Sequence, residues 1–132
     1  MRPPWTRCLP GLPASVTEAR RFVTAYLHDL HPEMAMRAEL VVSELATNAI
    51  KHTRSGLPGG MLWVTVILFD TAARISVTDQ GGITTPVPQV ADDSAEGGRG
   101  LQLMSLVVKD WGHHYEGSHC TVWALVDGVD RA

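Results

Sequence analysis

Two polar residues on one predicted helix have the types and spacing needed for acid–base and metal chemistry. Glu44 and Asn48 lie four residues apart, so they project from the same side of the helix, and Lys51 and His52 extend this polar stripe by one turn. A solvated helix face, with a hydrogen bond between Glu44 and Asn48, is the structural alternative. Asn48 favours a functional site over this alternative, because asparagine is a poor helix-interior residue and its amide oxygen beside a carboxylate suits a hydrated hard cation.

A second candidate site lies where a predicted strand gives way to a loop. Asp79 ends the strand in the segment VTDQGG, residues 77–82. An Asp-x-Gly sequence is also a common turn, and that structural alternative stays open. As a binding element, the Asp79 carboxylate can accept a hydrogen bond from an exocyclic amine, while Gly81 lets a planar ring lie close to the backbone.

Glycines also surround the start of a predicted third helix, in the segment GGRGL at residues 97–101. Amides at a helix N-terminus attract anions, and glycine lets a phosphate approach them, although a loop hinge has the same composition. The chain has neither a P-loop sequence nor a dinucleotide-binding fingerprint. The last segment, GSHCTVW at residues 117–123, contributes Thr121, which by default is an ordinary strand former.

Hydrophobic periodicity predicts the elements that position these residues. The first helix has capping-box spacing at Ser15 and Glu18. Because the strands are joined in pairs by short turns, we expect a mainly antiparallel sheet with helices on one face, an α+β two-layer sandwich, and a lid at residues 83–97. The predicted elements are an edge strand at 5–9, helices at 15–30, 34–53 and 100–108, and strands at 61–69, 74–78, 109–115 and 119–126.

Composition limits the class of protein. The chain has 132 residues, 45% hydrophobic and 19% charged, with a net charge of -3, which suits one globular domain with a buried core. Its 11 basic residues are scattered among 14 acidic ones, which argues against a nucleic-acid binder, and no apolar run has a membrane-spanning length. Because Cys8 and Cys120 lie far apart in sequence, we expect reduced thiols and a cytoplasmic protein.

In this order, the four segments resemble the N, G1, G2 and G3 boxes of the Bergerat-fold ATPases, the histidine-kinase-like fold shared with gyrase and the heat-shock chaperone. The most specific match is SELATNAIKH at residues 43–52, and the resemblance extends from about residue 15 to residue 126. The small size, and the lack of a helix pair for dimerisation or for a phosphoacceptor histidine, indicate one branch. This branch contains the anti-sigma-factor protein-serine kinases and their single-domain relatives in actinobacteria.

The resemblance implies a role for each matching residue. Asn48 would hold the Mg²⁺ that bridges the phosphates of ATP, and Glu44 would be the general base for a substrate serine. Asp79 would accept the adenine amino hydrogen, with Gly81 giving the ring space and Thr121 assisting through water. The residues implied to lie against the phosphates are Gly98, Arg99, Gly100 and Leu101, with Arg99 as the candidate for the terminal phosphate.

The implied function is an ATP-binding, Mg²⁺-dependent protein serine/threonine kinase that acts as an anti-sigma factor in a partner-switching circuit. Its partners would be a sigma factor and an antagonist (anti-anti-sigma) protein, and a homodimer stays open. The alternative is a nucleotide-dependent protein-binding module without kinase activity: Glu44 favours the enzyme, whereas the acidic lid favours the module. The expected organisation is an arm or edge strand at 1–14, an ATP-binding domain at 15–127 and a tail at 128–132.

Overall fold

The computed structural model describes residues 3–29, 31–82 and 107–127. Within these ranges two helices pack on one face of a five-stranded antiparallel sheet, so the predicted α+β two-layer architecture is confirmed. The lid expected at 83–97 and nearly all of the third helix expected at 100–108 lie outside the described residues. In chain order the elements are β1 (Trp5–Pro10), α1 (Ala14–Leu27), α2 (Pro32–His52), a 3₁₀ turn (Arg54–Gly56), β2 (Met61–Leu68), β3 (Ala72–Asp79), β4 (Asp110–Glu116) and β5 (His119–Asp127).

Helix α1 differs from the prediction at both ends. It begins at Ala14 and ends at Leu27, so it is shorter at its C-terminal end than expected. The capping box at Ser15 and Glu18 does not form, because Ser15 already lies in the first turn of the helix and its hydroxyl donates a hydrogen bond to the Pro10 carbonyl. This hydroxyl therefore ties the start of α1 to the end of β1 instead of capping the helix.

Helix α2 carries Glu44 and Asn48, as predicted from its periodicity. It begins at Pro32, slightly before the predicted start, because a proline in the first turn lacks only an amide that has no partner there. It ends at His52, and Thr53 follows as its C-cap. The side chains that α2 buries are Met34, Ala35, Ala38, Val41, Val42, Leu45, Ala46 and Ala49.

Strand β3 lies at the centre of the sheet, whose strand order is β1-β2-β3-β5-β4. Its side chains alternate between two faces. On the helix face, Ile75 and Val77 join the hydrophobic core against the helices. Ser76 and Thr78 point to the open face, on which the described residues place no helix. The strand is longer than predicted and includes Asp79 as its last residue, so this carboxyl shares the helix face with Val77.

The two edge strands of the sheet are both largely exposed. Strand β1 pairs with β2 along its whole length and is the edge strand expected near residues 5–9. Strand β4 forms a hairpin with β5 through the turn at Gly117, and nearly all its side chains are exposed. In the described part of the chain, no helix combines the length and the apolar character that a membrane span requires.

Candidate functional site

The polar stripe on α2 divides into two parts. Glu44 and Asn48 are half-buried, whereas Lys51 and His52 at the end of the helix are exposed. Burial raises the pKa of the Glu44 carboxyl above its ordinary value, and the nearby Lys51 charge offsets part of this rise. A solvated face therefore describes the last turn of α2 but not the turn with Glu44 and Asn48. A half-buried carboxylate with a raised pKa is a better proton acceptor than an exposed one.

Asp79, at the end of β3, is a buried carboxyl with a local hydrogen bond. The residue is 3% exposed, and its Oδ1 accepts a hydrogen bond from the Gly81 amide at 2.7 Å. Burial raises the pKa of Asp79, whereas the Gly81 amide and the His119 charge lower it. Because a carboxylate has about four lone-pair positions, this bond leaves capacity for a further donor such as an amino group.

Gly81 brings the loop after Asp79 against the turn between β4 and β5. Its φ of 90° lies in the left-handed region that favours glycine. A Cβ at this position would lie 2.2 Å from the Ser118 carbonyl oxygen. Conformation and space therefore both require glycine here, and the close approach places the start of β5 beside the end of β3.

Thr121 does not lie on the same face as Asp79. In the register of β3 and β5, Thr121 pairs with Thr78, and their hydroxyl oxygens are 2.7 Å apart on the open face. Asp79 pairs instead with Cys120 on the helix face. The β5 residue beside Asp79 is therefore Cys120 and not Thr121, because consecutive residues of a strand point to opposite faces. The sequence contained a signal for this: Cys120 is two residues from the apolar Val122, so the two share the face of the strand that packs on the helices.

Cys120 adds a neutral thiol to the site. It is 0% exposed, and Tyr115, its partner on β4, forms a hydrogen bond with it. Burial and the charge of Asp79 both raise the pKa of the Cys120 thiol. The thiol is therefore protonated at neutral pH and presents a weakly polar surface beside the Asp79 carboxyl.

The two elements that carry the candidate residues meet at one end. Beyond α2, the Arg54 amide donates a hydrogen bond to the Gly81 carbonyl at 2.8 Å, and Thr53 forms a β-bridge with Gly82. The structure thus joins the end of the helix with Glu44 and Asn48 to the end of the strand with Asp79. The remaining predicted site residues, Gly98, Arg99, Gly100 and Leu101, lie outside the described residues.

The donor set fits a purine nucleotide with a hard cation. Asp79 offers a buried acceptor for an amino group. Asn48 offers an amide oxygen from a half-buried position, which suits Mg²⁺ that takes its other ligands from phosphates and water. Among the described residues, no three His, Cys, Asp or Glu side chains are grouped as a protein-only metal site requires.

Comparisons with known proteins agree with this chemistry. A family model described as a histidine kinase-like ATPase domain matches residues 9–125. The anti-sigma F factor of Bacillus cytotoxicus is 38% identical over 65 residues, which are 48% of this chain and 44% of that protein. The anti-sigma F factor of Bacillus thuringiensis is 37% identical over 65 residues, with the same coverage of 48% and 44%. The match thus spans less than half the length of these curated relatives.

Two solved structures share the fold. A crystal structure of the RsbU and RsbW domains of a Mycobacterium tuberculosis protein superposes with a TM-score of 0.69 at 15% identity, covering 96% of this chain and 32% of that one. The Acinetobacter baumannii histidine kinase AdeS superposes with a TM-score of 0.55 at 13% identity, covering 96% of this chain and 68% of that one. At these identities the likeness shows the fold alone.

Proposed function

This chain belongs to the histidine kinase-like ATPase domain family, and on that premise we propose that it is an ATP- and Mg²⁺-dependent protein serine kinase that acts as an anti-sigma factor. The observation that carries the kinase proposal is the half-buried Glu44, one helical turn from Asn48 on α2. Burial raises the pKa of Glu44, and this supports a role for its carboxylate as a proton acceptor.

ATP binding is divided between the two elements. Asp79 accepts a hydrogen bond from the adenine amino group, and Gly81 leaves space for the ring. Asn48 would hold a Mg²⁺ ion through its amide oxygen, and such an ion would supply positive charge for the phosphate oxygens. By their place in the sequence, the four residues Gly98, Arg99, Gly100 and Leu101 are assigned to the phosphates.

Glu44 acts on the protein substrate. Its carboxylate accepts the proton of a serine hydroxyl as the serine oxygen bonds to the terminal phosphorus of ATP, and the bond from that phosphorus to the ADP oxygen breaks. Because burial raises the pKa of Glu44, the carboxylate is lost at a higher pH than an exposed glutamate would be. The transfer rate therefore falls, as pH decreases, through a pKa above the ordinary glutamate value.

The names of the relatives suggest the partners. Proteins that match this chain are anti-sigma F factors, which supports a sigma factor as the bound partner and an antagonist protein as the phosphorylated one. We assign the ATP-binding domain to residues 15–127, with an edge strand in 1–14 and a tail at 128–132, and the cytoplasm as its compartment.

The alternative function is a nucleotide-dependent binding module without kinase activity. It is favoured by the sequence of residues 83–98, which contains Asp92, Asp93 and Glu96 but no basic residue. A lid of this composition supplies no cation to the charge that develops on a transferred phosphate.

Labelled ATP distinguishes the two functions. The purified protein, Mg²⁺ and a panel of candidate antagonist proteins should give labelled serine, and Glu44→Ala should reduce this transfer by at least about 100-fold, the contribution of a general base. The dissociation constant for ATP should change little in this variant. Glu39→Ala removes another half-buried glutamate of α2 and is the matched control, which should retain transfer.

The outcomes separate the proposals. ATP binding without transfer by the wild-type protein would favour the binding module and contradict the kinase proposal. Failure to bind ATP would contradict both. Full transfer by the Glu44→Ala variant would exclude Glu44 as the base.

A further inference from the structure

The 3₁₀ turn after α2 holds the backbone next to Asp79. Ser55, in the middle of this turn, is 0% exposed. Its hydroxyl oxygen accepts a hydrogen bond from the Gln80 amide at 3.0 Å. Gln80 directly follows Asp79, so this bond acts one residue away from the carboxyl that the proposed function assigns to adenine.

Other hydrogen bonds fix the same short segment. The Gln80 side chain accepts a hydrogen bond from the Met61 amide at 2.7 Å, which ties it to the start of β2. The Arg54 amide donates to the Gly81 carbonyl at 2.8 Å. The backbone after Asp79 is therefore held from two neighbouring elements, and Ser55 is the residue that holds it through a buried side chain.

Ser55 is itself connected to α2. Its amide donates a hydrogen bond to the Thr53 hydroxyl at 3.1 Å, and that hydroxyl donates to the Ala49 carbonyl at 2.6 Å. Ala49 directly follows Asn48, so hydrogen bonds lead from the neighbour of Asn48 to the neighbour of Asp79. These bonds fix the distance between the two ligand-binding elements.

Close packing leaves this turn little freedom to move. A Cβ on Gly11 would lie 1.6 Å from the Ser55 carbonyl oxygen, and a Cβ on Gly60 would lie 2.1 Å from it. The two glycines therefore allow the backbones of the β1–α1 loop and the loop before β2 to enclose Ser55. A side chain enclosed in this way loses little further entropy when it forms a hydrogen bond, so it is a precise anchor.

We propose that Ser55 is a positioning residue for base recognition: its hydroxyl holds the Gln80 amide and thereby directs the Asp79 carboxylate at the adenine amino group. The inference rests on the proposed function of Asp79. Ser55 acts through Gln80 and has no hydrogen bond to Asp79 itself among those of the described residues. Loss of its hydroxyl leaves the Gln80 amide without this partner in a half-buried position and allows the end of β3 to shift.

The test compares ATP with ITP, in which an oxygen replaces the adenine amino group. The wild-type protein should prefer ATP by at least about tenfold, because a site built to accept from an amino group rejects the analogue without it. Ser55→Ala should weaken ATP binding by about tenfold, the effect of one lost hydrogen bond to a positioned group, and ITP binding by less than about twofold. Calorimetry or equilibrium dialysis gives both dissociation constants.

Ser15→Ala is the matched control. Ser15 is 3% exposed, and its hydroxyl also bonds to the backbone, but the partner is the Pro10 carbonyl. This variant should lose stability and keep the wild-type preference for ATP. If the Ser55→Ala variant fails to fold, Ser55→Cys replaces it, because a thiol is a weaker acceptor for the Gln80 amide and should also reduce the preference.

The outcomes separate this inference from the proposed function. A folded Ser55→Ala or Ser55→Cys variant with the wild-type ratio of ATP to ITP affinity would overturn the positioning role and leave ATP binding in place. Wild-type protein that binds neither nucleotide, or both equally, would overturn the role of Asp79 and the positioning role with it. Collapse of the ratio in Ser55→Ala but not in Ser15→Ala supports the inference.

Discussion

Two neighbouring residue pairs at the end of β3 face opposite sides of the sheet and differ in chemistry. On the open face, Thr78 and Thr121 bond to each other through their hydroxyls at 2.7 Å. On the helix face, Asp79 and Cys120 are a carboxyl and a thiol that burial makes harder to ionise. The two threonine hydroxyls are hydrogen-bonded to each other. In the helix-face pair, burial is the largest influence on the Asp79 carboxyl, and it disfavours the charged form.

This difference supports a structural role for the threonine pair and a binding role for the pair on the helix face. A cross-strand threonine pair contributes only modestly to the stability of a sheet and needs no ligand. A buried carboxyl that costs stability is retained where it binds something, and perturbed groups of this kind cluster at functional sites. The helix face at the end of β3 is therefore the side on which we expect the nucleotide.

The largest expected effect follows from Asp79→Asn. The amide keeps a carbonyl oxygen for the Gly81 amide but loses the charge that accepts from adenine, so ATP affinity should fall by about 100-fold, the size of a lost charged hydrogen bond. Calorimetry measures the affinity. Asp70→Asn changes an exposed carboxyl in the β2–β3 turn and should leave affinity unchanged; equal affinities for Asp79→Asn and wild type would contradict the adenine role.

The same variant tests the cost of the buried charge. Because the folded-state pKa of Asp79 is raised, its protonated form favours folding, and this contribution is lost as pH rises through that pKa. Asp79→Asn should therefore have a higher melting temperature than wild type at neutral pH, and the difference should vanish below about pH 3, where both states are protonated. A lower melting temperature at neutral pH would contradict this cost.

A matched pair of valine substitutions compares the two faces directly. Cys120→Val adds volume to a fully buried position beside Asp79 and should weaken ATP binding by about thirtyfold, equivalent to about 2 kcal/mol of overpacking. Thr121→Val removes one hydroxyl on the open face and should change ATP affinity by less than about twofold, although it lowers stability. Calorimetry measures both affinities. The reverse order would restore Thr121 as the base-site residue.

Thiol labelling compares the two free cysteines. Cys8 is exposed and should react quickly, whereas Cys120 is buried, has a raised pKa and should react slowly. ATP at about ten times its dissociation constant should slow the labelling of Cys120 by about tenfold, because the bound state must first release nucleotide. Mass spectrometry follows each site, and Cys8 is the internal control, whose rate should not change.

The smallest effect concerns His119, which acts on Asp79 through its charge. On the open face its ring stacks on Trp63, with centroids 5.2 Å apart, and its positive charge lowers the pKa of Asp79. His119→Gln removes this charge, so Asp79 should protonate at a higher pH and ATP affinity should start to fall at a higher pH. At neutral pH the change should be less than about twofold. A pH series of ATP affinities tests this, with His114→Gln as a control that should match wild type.

Periodicity predicted the elements that carry the site. The apolar arc on α2 placed Glu44 and Asn48 on one side of the helix, and the short turns between paired strands predicted the antiparallel sheet. Such patterns succeed because they reflect burial along a single element. The membership of the ATPase family was also predicted from the order of the four segments, and the family match over residues 9–125 confirms it.

Features that depend on contacts between elements were not predicted. The register of β3 and β5 decides whether Cys120 or Thr121 lies beside Asp79. The resemblance indicates Thr121 by its place in the motif, and a motif does not say which face of the strand a residue occupies. The role of Ser55 was missed because a segment rich in serine and glycine indicates only a loop, whereas its bond to Gln80 joins residues 25 positions apart. The false capping box at Ser15 has the same origin, since its hydroxyl serves the preceding strand.

A substitution at Gly81 can test how closely the nucleotide approaches the backbone. Its φ of 90° excludes L-alanine, whose methyl group would also meet the Ser118 carbonyl oxygen. D-alanine, introduced by total synthesis, prefers this mirror-image conformation and directs its methyl group elsewhere. If the D-alanine protein folds, the conformational requirement at this position is separated from the requirement for empty space. The affinity of this protein for adenine nucleotides would then measure how closely the ring approaches the main chain.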